Sequence, residues 1–303
     1  MSIINELSEI IDVAREDCIE IPRGTNAFAE NSIVCRDNLE YIASCAGGPV
    51  KLDFIYIDPP FFTGSTYNAK LKDTDGASQA FAYSDKWSSM SDFLRSLSER
   101  LILMREVLTD SGSIAVHLDT RAVHYVKILM DEIFGSKNFV NELIWSYKSG
   151  GASIHSFAKK HDTILLYSKT TKYYFSPQKE RSYNRQGKPY RFKGVEEFED
   201  EEGRWYTMVN RRDILSVDMV GRTSAERTGY ATQKPEKLLE ILIQSCCPEG
   251  GICADFFCGS GTLGAAAKKL GRRYVLCDQS ELAVEISRNR LADKDTEEQI
   301  SFL

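Results

Sequence analysis

The chain has 303 residues, 42% hydrophobic and 27% charged, with eight prolines and a formal charge of −6. That is about twice a typical domain and enough apolar material for a sizeable core, which excludes disorder as the dominant state. The opening MSIINELSEIIDVARED carries acids throughout, and no stretch of about 18 apolar residues follows, so neither a secretory signal nor a membrane span is expected. The default expectation is a cytoplasmic protein, associated with the nucleoid if its source is prokaryotic. The eight cysteines include no CxxC pair. They read as buried free thiols rather than a zinc or redox motif, and nothing calls for a metal.

Ile3, Ile4, Leu7, Ile10, Ile11 and Ala14 predict an amphipathic first helix. Ser32-Ile33-Val34-Cys35 reads as a short buried strand ending at Asp37-Asn38, with a helix to Ala46 behind it. Residues 52–57 (LDFIYI) form a second buried strand running straight into Asp58-Pro59-Pro60-Phe61. Met90, Phe93, Leu94, Leu97, Leu101, Met104 and Leu108 keep helical spacing, and Gly112 is expected to end that helix before a strand over 113–118. A helix over about 121–134 follows, then paired strands at 141–147 and 163–167 joined by a glycine-rich basic connection. Periodicity fails from about 170 to 230. It resumes as helix 235–247, strand 252–257, helix 262–270, strand 273–277 and helix 280–292. Strands alternating with helices predict an α/β fold with a mostly parallel sheet covered on both faces. A structureless loop of 60 residues would be unusual, so the irregular stretch reads as an insertion. The expected division is 1–170, 171–228 and 229–303.

Charge is segregated within that insertion. Between Lys169 and Val195 eight basic residues face one acid, Glu180, with Tyr173, Tyr174, Phe175, Tyr183, Tyr190 and Phe192 interleaved; six acids follow within 196–202. A nucleic-acid footprint on an otherwise acidic protein takes this form, and so does a solvated charged loop.

Near the end of the chain, Asp255-Phe256-Phe257-Cys258-Gly259-Ser260-Gly261-Thr262 places a glycine turn between a strand and a helix. Glycines there let backbone approach a ligand at a helix N-terminus. Asp278 closes the next strand, where an acid can accept hydrogen bonds from ribose hydroxyls. Gly259, Gly261 and Gly264 also satisfy GxGxxG, so a nucleoside site, a dinucleotide site and a tight turn without a ligand all fit the motif. Position discriminates between them: about 40 residues follow Gly259, too few for a nicotinamide-binding domain built onward from its glycine loop. The rest of the sheet must come from the N-terminal half, in a circularly permuted order.

The earlier motif is more specific. Two prolines after an acid fix the backbone and remove two N–H donors. Carbonyls and the Asp58 carboxylate are then acceptors at the carboxyl edge of the sheet, beside the flat face of Phe61. That is a receptor for an NH2 group on a planar ring; a strand-ending turn with an aspartate cap is the plainer alternative.

With both motifs in this order the chain resembles the beta group of DNA amino-methyltransferases, in which DPPY or DPPF precedes the target-recognition region and FxGxG comes last. The resemblance runs from Asp37-Asn38 to Arg290 and weakens in 171–228. Thr228-Gly229-Tyr230-Ala231-Thr232-Gln233-Lys234-Pro235 is similar to the adenine enzymes of the group, which include the usually much longer modification subunits of type III restriction systems. The group more often has Pro at Phe256 and Ala231, and Asn at Phe62.

The resemblance implies a class I S-adenosylmethionine-dependent methyltransferase fold and S-adenosylmethionine as cofactor. It places Phe257, Gly259, Ser260, Gly261 and Thr262 at the methionine end, Asp255 near the amino group, and Lys234 and Thr232 at the carboxylate. Asp278 would hold the ribose hydroxyls and Asp37 the adenine amino group, although both acids also fit helix or turn caps. Asp58, Pro59, Pro60 and Phe61 would be catalytic, acting on a base flipped out of double-stranded DNA. Lys172, Lys179, Arg181, Arg185, Lys188, Arg191, Arg204, Arg211 and Arg212 are the candidates to meet that DNA. Adenine is the expected base, because cytosine enzymes of the group more often carry Ser at Asp58. A cytosine 4-amino methyltransferase, a nicotinamide-dependent oxidoreductase and a nucleic-acid-binding module without catalysis are the rival readings. A homodimer and a cognate restriction nuclease are the partners such a family suggests.

Overall fold

A computed structural model of the protein describes residues 3–73, 76–149, 151 and 154–292. Gly150, Ala152 and Ser153, in the predicted glycine-rich connection, and residues 293–303 lie outside the described residues. Helix α1 (Ile3–Glu20) is followed by strand β1 (Ser32–Cys35), α2 (Asn38–Ala46) and β2 (Leu52–Ile57). A hairpin of β3 (Thr66–Asp73) and β4 (Gly76–Ser84), unforeseen from sequence, precedes α3 (Met90–Val107), β5 (Leu108–Leu118) and α4 (Val123–Met130). Strands β6 (Phe139–Ser146), β7 (His161–Ser168), β8 (Lys179–Tyr183), β9 (Glu197–Glu199), β10 (Trp205–Asn210) and β11 (Ile214–Ser216) come next. The chain then alternates through α5 (Glu236–Cys246), β12 (Ile252–Asp255), α6 (Thr262–Lys269), β13 (Arg273–Asp278) and α7 (Glu281–Leu291).

Eight strands form one sheet in the order β1-β13-β12-β2-β5-β7-β6-β11. The first five are parallel neighbours; β7 runs antiparallel to both β5 and β6, and β11 is parallel to β6. Two strands from the last quarter of the chain, β12 and β13, thus lie between β1 and β2 from its beginning, as a permuted order requires.

Alternation along β2 shows why the sheet must be covered twice. Ile55 and Ile57, with Leu52 before a register shift in the strand, pack into a core with Leu7, Ile42, Leu97, Leu101 and Val126 of the first four helices. Phe54 and Tyr56 point the other way, into a second core with Leu238, Leu242 and Leu263 of α5 and α6. Successive side chains of a strand alternate faces, so an almost wholly apolar strand is stable only between two helical layers. The largest side-chain contribution to the first layer comes from α3, whose Phe93, Leu94, Leu101 and Met104 are buried. Ser89 caps it by accepting the Asp92 N–H at 3.1 Å. The helix stops at Val107 rather than at Gly112, because Leu108 turns extended and opens β5.

The segment read as an irregular insertion is ordered in two ways. β8, β10 and β9 make a separate antiparallel sheet, with Tyr206 stacked on Phe198 at 5.6 Å. β11 returns to the edge of the main sheet, so its residues belong to the large sheet although they fall within 171–228.

Candidate active site

At the carboxyl ends of β1, β13, β12 and β2 lies a cavity of about 460 Å³. Ligands of open parallel sheets bind at this edge, where strand order reverses and helices diverge. Asp58, Pro59, Pro60, Phe61, Asp37, Thr232, Lys234, Asp255, Phe257, Gly259, Ser260, Thr262 and Asp278 all line it. Of the catalytic and cofactor residues expected from sequence, Gly261 alone does not, and it shapes the turn from behind. The nine basic candidates for DNA contact lie outside the cavity.

Asp58 leaves β2 with its two oxygens in different situations. Oδ2 forms an ion pair with the Lys234 ammonium, and Oδ1 is buried without a hydrogen-bond partner. The ammonium also lies 5.3 Å from the centre of the Phe61 ring. Sequence placed Lys234 at a cofactor carboxylate; the structure places it on Asp58.

The backbone after the prolines is held by a residue that sequence reasoning missed. Asp85, 1% exposed at the end of the hairpin, accepts the N–H groups of Phe61, Phe62 and Thr63 at 3.0, 2.9 and 2.8 Å. This clamp holds Phe62 at a φ of +62°, a conformation costly for a side chain with a Cβ. The resemblance had Asn at this position, and Asn tolerates that backbone better.

Beneath Phe61 lies a second missed feature. The ring stacks on His117 at 5.9 Å and 28°, and Trp145 meets the imidazole edge-on. His117 is fully buried; its Nε2 lies 3.4 Å from Asp162 and its Nδ1 2.8 Å from the Tyr56 hydroxyl. A carboxylate can only accept, so Nε2 carries the hydrogen and Nδ1 accepts from Tyr56. Tyr147 donates to the other Asp162 oxygen at 3.3 Å. Burial, reinforced by the Lys234 charge, keeps the imidazole below its ordinary pKa, while burial pushes the Tyr56 hydroxyl well up. Burial would raise Asp162 too, but the hydrogen bond from His117, the Lys234 charge and the hydrogen bond from Tyr147 leave it below the usual carboxylate range.

On the other wall, the glycine turn is built around two acids. Asp255 is buried and accepts the Phe257 N–H at 2.9 Å; burial pushes its carboxyl well above the ordinary range, and the Asp58 charge adds to that. Asp278 accepts from Gly259 and Ser280 N–H at 2.9 Å each, and burial raises it as well. At Gly261, with φ +71°, an added Cβ would sit 2.7 Å from the Ser287 hydroxyl. Ser260 and Thr262 are tied down by Arg290, which reaches the Ser260 carbonyl at 3.1 Å and the Thr262 hydroxyl at 3.0 Å while pairing with Glu236 at 2.7 Å. Asp37 caps α2, accepting from Leu39 N–H at 2.9 Å, and meets Arg100 at 3.3 Å. It is a cap and a cavity wall at once. Thr232 holds a φ of +61°.

Several of the basic candidates for DNA already have partners. Arg204 pairs with Asp200 at 2.9 Å, and Arg211 and Arg212 with Glu180 at 3.7 and 2.5 Å. Lys179 bonds Asn210 at 2.6 Å, and Arg181 lies over the Tyr206 ring at 4.7 Å. The Arg204 backbone N–H is the first of the hydrogen bonds that draw Asp200 down to about 2. Lys172, Arg185, Lys188 and Arg191 make no ion pair among the described residues.

The permuted parallel sheet thus brings the DPPF turn and the glycine turn onto one cavity. Residues 52–289 match the family model described as DNA methylase, and the chain belongs to that family. Among curated relatives, the type II methyltransferase M.EcaI of Enterobacter cloacae is 28% identical over 93% of this chain and 72% of its own length. M2.DpnII of Streptococcus pneumoniae, also a type II methyltransferase, is 27% identical over 82% of this chain and 85% of its own. Among solved structures, the M1.HpyAVI–SAM complex matches with a TM-score of 0.56 and 19% identity, covering 86% of this chain and 99% of that one. The PvuII cytosine-N4-specific DNA methyltransferase matches with a TM-score of 0.59 and 13% identity, over 92% and 93%. The fold is that of the class I S-adenosylmethionine-dependent methyltransferases. No helix among the described residues is long and apolar enough to cross a membrane.

Proposed function

We propose that the chain transfers a methyl group from S-adenosylmethionine to the 6-amino group of adenine, at specific sites in double-stranded DNA. The observation that carries this reading is Asp58 Oδ1, a buried acceptor with no protein donor, in the same cavity as Phe61 and the glycine turn. A buried oxygen without a donor is costly, and an exocyclic amine supplies the missing hydrogen bond.

The residues present fit the cofactor. Asp278 and Asp37 would hold its ribose and adenine, and Asp255 and the Phe257–Thr262 turn its methionine end. When bound, S-adenosylmethionine supplies an electrophilic methyl group on a sulfonium. The amine lone pair is delocalised into the adenine ring, so the protein must make it available. Hydrogen bonds from the amine to Asp58 Oδ1 and the Pro59 carbonyl favour a pyramidal nitrogen. The nitrogen that gains a methyl group must shed a proton, and the Asp58 carboxylate is the acceptor in contact with it. Phe61, braced by His117, stacks on the flipped base and keeps its ring plane fixed. The β8–β10–β9 sheet and its connections, with Lys172, Arg185, Lys188 and Arg191, supply positive charge for the DNA backbone.

Methylation of the cytosine 4-amino group would use the same receptor; Asp rather than Ser at position 58 favours adenine. The naming of the relatives as type II methyltransferases supports a place beside a restriction nuclease of the same specificity. Modified-base sequencing of DNA from cells expressing the chain tests the reading: methylated adenine at a fixed sequence is expected, and methylated cytosine or unmodified DNA overturns it. Asp58→Ala is expected to abolish transfer while S-adenosylhomocysteine still binds in calorimetry.

A further inference from the structure

We infer that Lys234 is a positioning residue for Asp58, on the acceptor side of the reaction, and not the residue that holds the cofactor's carboxylate. The inference rests on the proposed function and assigns one further residue to it. Lys234 is 8% exposed, and its ammonium spends its ion pair on Asp58 Oδ2. A buried ammonium requires such a partner. Turning Lys234 towards a cofactor carboxylate would leave Asp58 with both oxygens unpaired.

The chain around Lys234 is anchored from several sides, so the direction of the lysine is set by the fold. The Gln233 side chain accepts from the Thr228 N–H and hydroxyl at 2.8 and 2.9 Å and donates to the Glu226 carbonyl at 2.7 Å. The Lys234 carbonyl accepts from the Thr262 hydroxyl at 3.2 Å, and Pro235 stands at the N-cap of α5 immediately after. From this anchored position the stem reaches across to the DPPF motif, 176 residues earlier in the chain, and lies against the Phe61 ring. One oxygen of Asp58 is thereby fixed by protein, and the other is left as the carboxylate's open acceptor for the amine, beside the Pro59 carbonyl. Binding the cofactor does not need this contact; orienting the acceptor does.

Lys234→Met keeps the length and apolar stem and removes the charge. Two measurements separate the roles: calorimetric titration with S-adenosylhomocysteine, and transfer of tritiated methyl groups into unmodified genomic DNA at varied S-adenosylmethionine. The expected result is a kcat lower by about 10²-fold, because the nucleophile is misplaced, with S-adenosylhomocysteine affinity and cofactor KM within about threefold of the parent. A large loss of S-adenosylhomocysteine binding, with kcat restored at saturating cofactor, overturns the inference. Lys234→Gln is read in the same way, so that a methionine variant that fails to fold does not decide the matter. A parent chain that binds S-adenosylhomocysteine yet methylates nothing would instead overturn the proposed function, and the binding titration would still test Lys234.

Discussion

His117→Gln tests whether the imidazole that braces Phe61 makes the protein sensitive to acid. His117 is completely buried, and burial, with Lys234 adding to it, holds the ring neutral below its ordinary pKa of about 6.5. A base whose folded pKa is lowered binds fewer protons folded than unfolded once the pH falls below that ordinary value. Its contribution to stability is therefore intact above about pH 7.5 and is lost as pH falls below 6.5, until the lowered folded pKa is reached. The slope is at most about 1.36 kcal/mol per pH unit. Asp255 and Asp278 act in the opposite sense, since burial raises them and their cost disappears as they protonate. They are unchanged in the variant, so the difference between variant and parent isolates His117. Glutamine does not titrate, and its amide can donate to Asp162 and accept from Tyr56. Imperfect geometry at the buried Tyr56 hydroxyl is expected to cost about 1–3 kcal/mol at pH 8. Urea unfolding of both proteins at pH 5, 6, 7 and 8 reads the effect. The variant's deficit at pH 8 is expected to shrink by up to about 1.4 kcal/mol for each unit below 6.5. Stability curves that stay parallel across that range refute the assignment of a neutral buried imidazole.

Asp85→Ala removes the acceptor of three backbone N–H groups and is expected to destabilise by at least about 2–3 kcal/mol, read by thermal unfolding, and to lower kcat more than it raises the cofactor KM. An unchanged melting temperature would show that Asp85 does not hold the DPPF turn. For DNA, Lys188→Ala is expected to reduce the slope of log affinity against log salt by about 0.9, measured by fluorescence anisotropy with duplex fragments. Arg212→Ala, whose charge is already spent on Glu180, is expected to leave that slope nearly unchanged. The reverse ranking would mean that the Glu180 pair opens on binding.

The alternating cores and the permuted order could be read from sequence because they depend on local periodicity and on where two motifs stand in the chain. The hydrophobic spacing of α3 and the apolar run of β2 each reflect a single burial environment. What escaped was set by distant neighbours. Asp85 lies 22 to 24 residues from the N–H groups it accepts, at the end of a hairpin with no strong alternation. His117 read as an ordinary strand residue; its role comes from Tyr56 on one neighbouring strand and Asp162 on another. β11 has three residues, too few for any period to show. Lys234 was found, but its partner was not, because spacing along the chain says nothing of which acid lies across the cavity.

The permuted order also governs when the protein can become functional during its own synthesis. β2, apolar along nearly its whole length, gains its β12 neighbour only after about 195 further residues have been made, an interval that follows from Ile57 and Ile252. Until then one edge of the central strand has no partner, and an apolar strand edge is a template for pairing with other chains. Closing the sheet between β13 and β2 is a late, long-range event of the kind that makes folding slow. A nascent chain that carries a complete DPPF motif thus lacks both the glycine turn and Lys234, and the capacity to modify DNA arrives only with the last strands.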